Sequence, residues 1–378
     1  MLSSFPATGV TGPYLPPAAQ EQMNSSRILV GEKYQACRAP DPDVAAGVVR
    51  HGGLLLSLLK RRSKTDGITS VYLEPAGFSL AHATRDATGS PRLKFCMYGD
   101  CSGPSQVARA LAAAVRENGL VGTRCVGLLR PELYSLRQID APPVEAGEMR
   151  EAARWSVKDL IDFPAEDAAI DVFGVPSGGH AREKRIYVVA TPSAVVKDAV
   201  DLIESSGLWL TAIDITELAL RNVAALLPED QRGVALMFLS AGAGVLTITH
   251  RGSLYLARRL HSELELLAES VAYESGETKP DLSEEAEQIL KSLLLETQRS
   301  IDYYEHQLEQ GPVSALVLVP LEIPVSGLRR YLATHLSVDV SVLELNGVLK
   351  SNQSLTPALQ ARCLTAIGAA LRRECDAA

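Results

Sequence analysis

The sequence predicts a two-lobed α/β protein with a small α+β insert in its first lobe. Three observations support this fold class. Two halves of the chain, beginning at residues 67 and 233, each combine alternating strand patterns with a helix and further strands. Residues 140–213 form a separate helix–strand–strand–helix unit within the first half. A last helical pattern follows the second half and can cross back to the first.

The amino-acid composition limits which partners and binding sites are expected. The 378 residues suffice for two or three domains, and 37 basic against 45 acidic residues give a net charge of −8 with only 5% aromatics. Nucleic-acid binding is not expected. Six cysteines without a CxxC pair and seven histidines without an HxxxH pair indicate free thiols and no dedicated metal site. No apolar run reaches the ~18 residues of a membrane span, and no signal peptide opens the chain, so we expect a cytoplasmic protein.

Residues 1–66 differ in composition from the rest. The first 50 are rich in Pro, Ala, Gly and Ser without periodicity, which is typical of a disordered leader. The segment GGLLLSLLKRRSK (52–64) joins an apolar cluster to a basic one. It suits a helix on a membrane surface or a fraying amphipathic lead-in, and its shortness favours the second.

The first lobe is expected over 67–232. TSVYLEPAGFSLAHATRD and PRLKFCMYGD alternate as an antiparallel ribbon, a helix over 105–119 buries Val107, Leu111 and Val115, and 123–134 returns as a strand. The insert begins with a helix over 145–161 and continues with the strands AIDVFGVP and KRIYVVATP. The inward positions expected on its two helices are Met149, Ala153, Val157, Leu160 and Ile161, then Val196, Ala199, Val200 and Ile203.

The second lobe is expected over 233–350. It opens with the hairpin MFLSAGAGVLTITHRGSL (237–254), followed by a long helix over 283–309 and a buried strand over 313–320. Residues 351–378 form the C-terminal helix that returns to the first lobe. Its apolar positions predict an amphipathic helix: Leu359, Cys363, Ile367 and Leu371.

Several phrases carry a resemblance to a known family. RWSVKDLIDFPAEDAAIDVFGVP (154–176), LLLETQRSIDYYEHQL (293–308) and the ending AIGAALRR resemble MshI, a biogenesis protein of the mannose-sensitive hemagglutinin pilus, and are more distantly similar to PilM of type IV pili. The likeness spans roughly 67–373. It implies the actin-like (ribonuclease H-like) ATPase fold shared with FtsA, PilM and the cytoplasmic part of GspL.

The resemblance implies a nucleotide cleft built from three elements, and each differs from the family pattern here. In the first strand-turn-strand, YLEPAGFSL (72–80), Glu74 stands for the expected Asp and Gly77 follows a proline and an alanine. In the second hairpin, Phe238 stands where the acid is expected and Ser240 where the glycine is expected. Gly242 and Gly244 remain there, and they equally suit close strand packing.

The third element is a Gly-Gly turn after the strand of the second lobe, where this chain has Pro320 and Leu321. Glu296 and Arg299, on the helix that faces the nucleoside in relatives, fit a nucleotide contact or a surface ion pair. We therefore predict a degenerate site, no catalytic activity, and no ATP or Mg²⁺ as cofactor. The alternative is a PilM-like protein that retains ATP as a switch.

If the cleft binds no nucleotide, the function that the resemblance still implies is the docking of a partner protein. In the PilM family, the first lobe and its insert hold the cytoplasmic tail of a single-span inner-membrane partner, which predicts a PilN- or GspL-like partner and peripheral membrane association, with a homodimer left open. The residues expected at this surface are Trp155, Lys158, Asp159, Asp162 and Phe163. A tryptophan on a charged helix face is a common interface anchor, although a neighbouring ribbon could equally cover it.

A rival hypothesis from another class is a cysteine hydrolase. Gly99-Asp100-Cys101-Ser102-Gly103 has the form of a nucleophile elbow with Cys101 as nucleophile. His180, His250 or His335 would have to supply the base. The plainer interpretation is a turn before a helix that Ser105 caps.

Overall fold

The computed structural model of the chain describes residues 66–75, 77–176, 184–240, 244–260, 267, 284–325 and 327–373. The expected leader, apart from Asp66, and the basic segment 52–64 lie outside these residues. The strands are β1 (Ile68–Glu74), β2 (Gly77–Arg85), β3 (Pro91–Asp100), β4 (Arg124–Leu129), β5 (Ser135–Asp140), β6 (Ala168–Gly174), β7 (Arg185–Pro192), β8 (Trp209–Ile215), β9 (Val234–Leu239), β10 (Gly244–His250), β11 (Ser253–Leu260), β12 (Ala315–Leu318), β13 (Asp339–Val342) and β14 (Lys350–Ser351). The α-helices are α1 (Pro104–Glu117), α2 (Met149–Val157), α3 (Ser193–Ser205), α4 (Thr216–Ala224), α5 (Glu284–Asp302), α6 (Leu328–His335), α7 (Leu345–Val348) and α8 (Pro357–Ala370).

The two large sheets share one topology. The first has the order β14-β3-β2-β1-β4-β8, and the second has the order β11-β10-β9-β12-β13. In each, an antiparallel ribbon of three strands continues through two parallel strands. The parallel crossovers pass through helices such as α1 and α3, whose predicted inward residues are all buried. The two-lobed α/β architecture is thereby confirmed.

A separate three-stranded sheet forms the insert, in the order β5-β7-β6. It starts at Ser135 and its last strand ends at Pro192, so it is shifted towards the N-terminus relative to the expected 140–213. The helix α3 packs on β8 and β4 of the first large sheet and also on β7 and β6 of the insert, so it bridges the two sheets. Inside the insert, Ala153, Val157 and Ile161 face the sheet.

One expected core position of the insert is wrong. Leu160 is 46% exposed, whereas Val157 is fully buried. The α-helix gives way to a 3₁₀ turn over Lys158–Leu160. Because a 3₁₀ turn advances by about 120° per residue instead of about 100°, positions counted on an α-helical wheel rotate away from the core.

The C-terminal helix α8 joins the lobes and is not amphipathic as predicted. Every residue from Cys363 to Ala370 is buried, because the helix lies against β1, β2 and β3 on one side and crosses α4 on another. The hydroxyl of Ser70 in β1 donates to the carbonyl of Ala366. A helix covered on all sides needs no polar face.

The α4–α8 crossing is unusually close at one glycine. A Cβ placed on Gly368 would lie 2.3 Å from the carbonyl oxygen of Ala219 and 3.1 Å from a methyl of Val223. The side-chain amide of Asn222 donates to the carbonyl of Gly368 at 2.9 Å. Only glycine at 368 lets the two helix backbones approach this closely.

A buried ion pair fixes the end of α8 to the first sheet. Nη1 of Arg372 lies 2.7 Å from Oδ2 of Asp214, and the two side chains are 6% and 1% exposed. Asp214 also accepts a hydrogen bond from the backbone N–H of Ile215. The chain end after α8 is therefore held by charge as well as by apolar packing.

Candidate functional site

The β1–β2 turn, where the first phosphate element was expected, faces a guanidinium group. Arg362 on α8 places Nη2 3.8 Å from a carboxylate oxygen of Glu74. The same group donates to both carboxylate oxygens of Asp100 at the end of β3, at 2.5 and 3.1 Å. Its Nε lies 3.1 Å from a carboxylate oxygen of Glu322, which belongs to the second lobe. Arg362 thus links acids from three segments across the cleft.

An aromatic ring completes this arginine cluster. The guanidinium carbon of Arg362 lies 3.9 Å from the ring centroid of Tyr98, a stacking distance at which cation–π attraction adds to the ion pairs. Hydrogen bonding to Asp100 raises the pKa of Arg362, and these bonds lower the pKa of Asp100 in turn. Burial raises the pKa of Glu74, with Arg362 opposing that shift.

Gly77 is explained by strand packing. A Cβ at Gly77 would lie 2.5 Å from the carbonyl oxygen of Gly99 on β3. A Cβ at Gly99 would in turn meet the ring of Phe78 at 2.8 Å. The β2–β3 ribbon therefore requires small residues here on its own account.

The β9–β10 hairpin, the second expected element, presents apolar packing. Phe238 is 7% exposed and belongs to the cluster of buried side chains around α4 and α8 that joins the lobes. A Cβ on Gly244 would lie 2.8 Å from Cβ of Leu260. Ser240 is half-buried, and Gly242 lies outside the described residues.

The remaining nucleotide positions do not converge into one contact. Pro320 and Leu321 are half-buried after β12, and Leu321 packs on the second-lobe core. Glu296 is half-buried and Arg299 is exposed on α5. Among the described residues no salt bridge joins Glu296 to Arg299, so the expected surface ion pair is not formed.

A second set of polar contacts, missed from the sequence, lies deeper between the lobes. The hydroxyl of Tyr134 donates to the buried carboxylate of Glu217 at the start of α4. Arg259 of β11 donates to the carbonyl of Tyr134 at 3.0 Å and stacks on its ring at 4.9 Å. Burial raises the pKa of Glu217 and holds the pKa of Tyr134 well above its ordinary value.

The insert also contacts the second lobe. The hydroxyl of Tyr187 on β7 accepts a hydrogen bond from the backbone N–H of Ala257 on β11, at 2.9 Å. Arg185, also on β7, donates to the hydroxyl of Tyr303 just after α5. The insert is therefore braced against the second lobe.

The expected docking surface is exposed. Trp155 on α2 has 62% of its surface accessible, so no neighbouring ribbon covers it. Nζ of Lys158 lies 5.9 Å from its ring centroid. Asp159 and Asp162 are exposed beside it, whereas Phe163 is half-buried against the insert core.

Among the described residues, no histidine is hydrogen-bonded to the cysteine of the rival hypothesis. The thiol of Cys101 is buried among apolar side chains, and its hydrogen-bond acceptor is the carbonyl of Gly99 at 4.0 Å. His250 stacks near Tyr255, and His335 hydrogen-bonds the carbonyl of Tyr331. His180 lies outside the described residues. The helix α1 begins at Pro104, and its N-cap residue is Gly103 with no side-chain cap hydrogen bond, so the predicted Ser105 cap is wrong.

Within the described ranges, no three His, Cys, Asp or Glu side chains are grouped so as to hold a metal ion. None of the described helices combines the length and apolarity needed to cross a bilayer.

Comparison with known proteins gives a fold and no family. No protein-family model matches the chain, and no curated protein matches it. The chain is similar to the solved structure of a PilM–PilN type IV pilus biogenesis complex, with a TM-score of 0.64 at 19% identity over 81% of this chain and 98% of that one.

Two further solved structures are similar to the chain at lower scores. A Bacteroides thetaiotaomicron protein with an actin-like ATPase fold is 11% identical, with a TM-score of 0.43 over 75% of this chain and 93% of its own. The cytoplasmic domain of EpsL, an inner-membrane component of the Vibrio cholerae type II secretion system, is 12% identical, with a TM-score of 0.42 over 82% and 97%. The actin-like fold expected from the resemblance is confirmed; membership of the MshI family stays a prediction.

Proposed function

We propose that this protein is a non-catalytic assembly-platform protein of a type IV pilus system of the MSHA kind, acting in the cytoplasm at the inner membrane. Two findings support the proposal. The phrase at 154–176 resembles MshI, and the fold is similar to that of a chain in a solved PilM–PilN type IV pilus biogenesis complex. Both similarities are to proteins of pilus biogenesis.

The platform role consists of docking a membrane-anchored partner. The partner is a single-span inner-membrane protein of the PilN or GspL kind, whose cytoplasmic tail binds the first lobe and insert. The observation that carries this proposal is the exposure of Trp155. A large aromatic side chain left in water costs free energy that an interface recovers.

The cleft, in the same proposal, does not bind Mg-ATP usefully. Glu74, the one carboxylate placed like a metal-positioning acid, already faces Arg362. Phe238 fills the place of the second acid with apolar packing. A nucleotide would have to displace the guanidinium from Glu74, Asp100 and Glu322, and the β9 position of Phe238 supplies no carboxylate for Mg²⁺.

Two titrations by calorimetry test the proposal. The full chain is titrated first with Mg-ATP and then with a peptide of the cytoplasmic tail from the membrane protein encoded beside it in the pilus operon. We expect no heat of binding from Mg-ATP and saturable binding of the tail. Trp155→Ala should weaken tail binding at least about tenfold, the effect of losing an interface anchor. Trp209→Ala, at the other tryptophan, is the matched control.

Each part can fail separately. Micromolar binding of Mg-ATP would favour the ATP-switch alternative, and Arg362→Gln would then be expected to change its affinity. Absence of binding to every operon-encoded tail would remove the docking role. Equal weakening by both tryptophan variants would move the docking surface away from Trp155.

A further inference from the structure

The exposed tryptophan of the insert lies within a strongly acidic surface. We call Glu148, Glu151, Trp155, Lys158, Asp159 and Asp162 the Trp155 face; all six are exposed. Glu151 lies one turn before the tryptophan on α2. Asp159 follows Lys158, whose ammonium group lies over the indole. The apolar ring therefore has carboxylates before and after it.

The region around Trp155 is predominantly acidic. Residues 145–167 contain seven acids and three bases, which leaves a net charge of −4. Two of the bases have partners beneath the face: Arg150 pairs with the buried Asp171 at 3.0 Å, and Arg154 donates to the carbonyls of Ala165 and Ala168 in addition to its contact with Glu151. Lys158 is the remaining base.

Most of the acids on the face form no ion pair with the described residues. Glu151 lies 3.4 Å from Nε of Arg154. Within the part of the chain that the structure describes, the carboxylates of Glu148, Asp159 and Asp162 form no salt bridge. Like charges gathered around an apolar group raise the local negative potential, which a cationic partner lowers.

We propose that the Trp155 face binds a short segment in which an apolar side chain is flanked by at least two Lys or Arg residues. This rests on the proposed function and defines the chemistry of the tail that docks there. The cytoplasmic flank of a membrane-spanning helix has this composition, because Lys and Arg are concentrated on that side of the membrane. The apolar side chain covers the indole, and the cations face Glu148, Asp159 and Asp162.

Fluorescence of a single tryptophan tests the proposal. The chain has two tryptophans, so the full-length Trp209→Phe protein reports on Trp155 alone. It is titrated with the model peptide acetyl-KKLLSLLKR-amide and with the same peptide carrying Glu at every Lys and Arg. We expect a blue shift and saturation with the basic peptide only. Its affinity should fall about tenfold between 50 and 300 mM NaCl, because salt screens exposed charges.

Neutralising the acids gives the second arm. The variant Glu148→Gln/Asp159→Asn/Asp162→Asn should lose at least about tenfold in affinity and most of the salt dependence. The matched control is Glu117→Gln/Asp198→Asn/Asp201→Asn, which removes three exposed acids from α1 and α3 of the same lobe. Its affinity should stay within about twofold of the parent.

Three outcomes overturn this inference. The first is equal binding of the basic and acidic peptides. The second is an unchanged affinity of the triple neutral variant for the operon-encoded tail. That result would contradict recognition by charge and would leave the platform role supported. The third is a red shift of Trp155 on deletion of residues 52–64, which would make this chain's own apolar and basic segment the occupant. Failure of every tail to bind, by contrast, is a failure of the proposed function.

Discussion

The crossing of α4 and α8 gives the sharpest test of how the lobes are joined. Replacing Gly368 with alanine adds a Cβ 2.3 Å from the carbonyl oxygen of Ala219. That is about 1 Å short of an ordinary carbon–oxygen contact. The obstructing atom belongs to the backbone of a buried helix, so relief requires the two helices to move apart.

The magnitude follows from two opposing terms. Overpacking a tight core costs about 1–3 kcal/mol, and backbone obstruction favours the upper end. Alanine recovers about 1 kcal/mol of helix propensity over glycine. We therefore expect Gly368→Ala to lower the free energy of unfolding by about 2 kcal/mol.

Urea denaturation followed by far-UV circular dichroism measures this difference. Gly347→Ala is the matched control, because Gly347 lies in the short helix α7 and its Cβ would meet nothing within 4 Å. That variant should be as stable as the parent or up to about 1 kcal/mol more stable. A Gly368→Ala protein as stable as the parent would refute the close-crossing argument.

Three further predictions concern charged groups. Burial raises the pKa of Asp171 to about 6, so its charged form destabilises the fold increasingly as the pH rises from about 4 to above 6. Asp171→Asn should remove this loss of stability, which amounts to up to about 3 kcal/mol at pH 8 and to nearly zero at pH 3. Urea titrations at both pH values measure the difference. Arg372→Met should cost about 3–5 kcal/mol, because it removes the cation that is hydrogen-bonded to the buried carboxylate of Asp214, and a loss below about 1 kcal/mol would contradict the importance of this pair. Arg362→Gln should cost only about 1–2 kcal/mol, since two of its three acid partners, Asp100 and Glu322, are more than half exposed. It should nevertheless speed amide hydrogen exchange near Glu322, and unchanged exchange there would argue against a link between the lobes.

Strong periodicity made most of the fold predictable from sequence. The helices α1 and α3 bury the residues that their 3.6-residue spacing selects, and the β1–β2–β3 ribbon follows its alternation. The strand β5 was missed because SLRQID has no clean alternation and is half-exposed on both faces. It becomes a strand by pairing with β7, and no local sequence pattern predicts this pairing.

The candidate site was only partly predictable. Local reasoning located the β1–β2 turn and the exposed Trp155, since both depend on neighbouring residues. The role of Arg362 was not predicted, because an arginine within a helical pattern usually indicates a solvated face. Its partners come from the distant positions 74, 100 and 322. A cluster assembled from distant segments leaves no spacing signal in one sequence.

The placement of α8 has a consequence for how the protein is made. Ser70 in the first strand bonds a carbonyl 296 positions later, on the helix that covers the first sheet. At about 5–20 residues per second, the ribosome needs roughly 15–60 s to supply that helix after the strand. During synthesis, the surface of the first sheet that α8 later covers stays exposed for this time. Nascent chains and C-terminally truncated products should therefore be the forms that bind chaperones and aggregate.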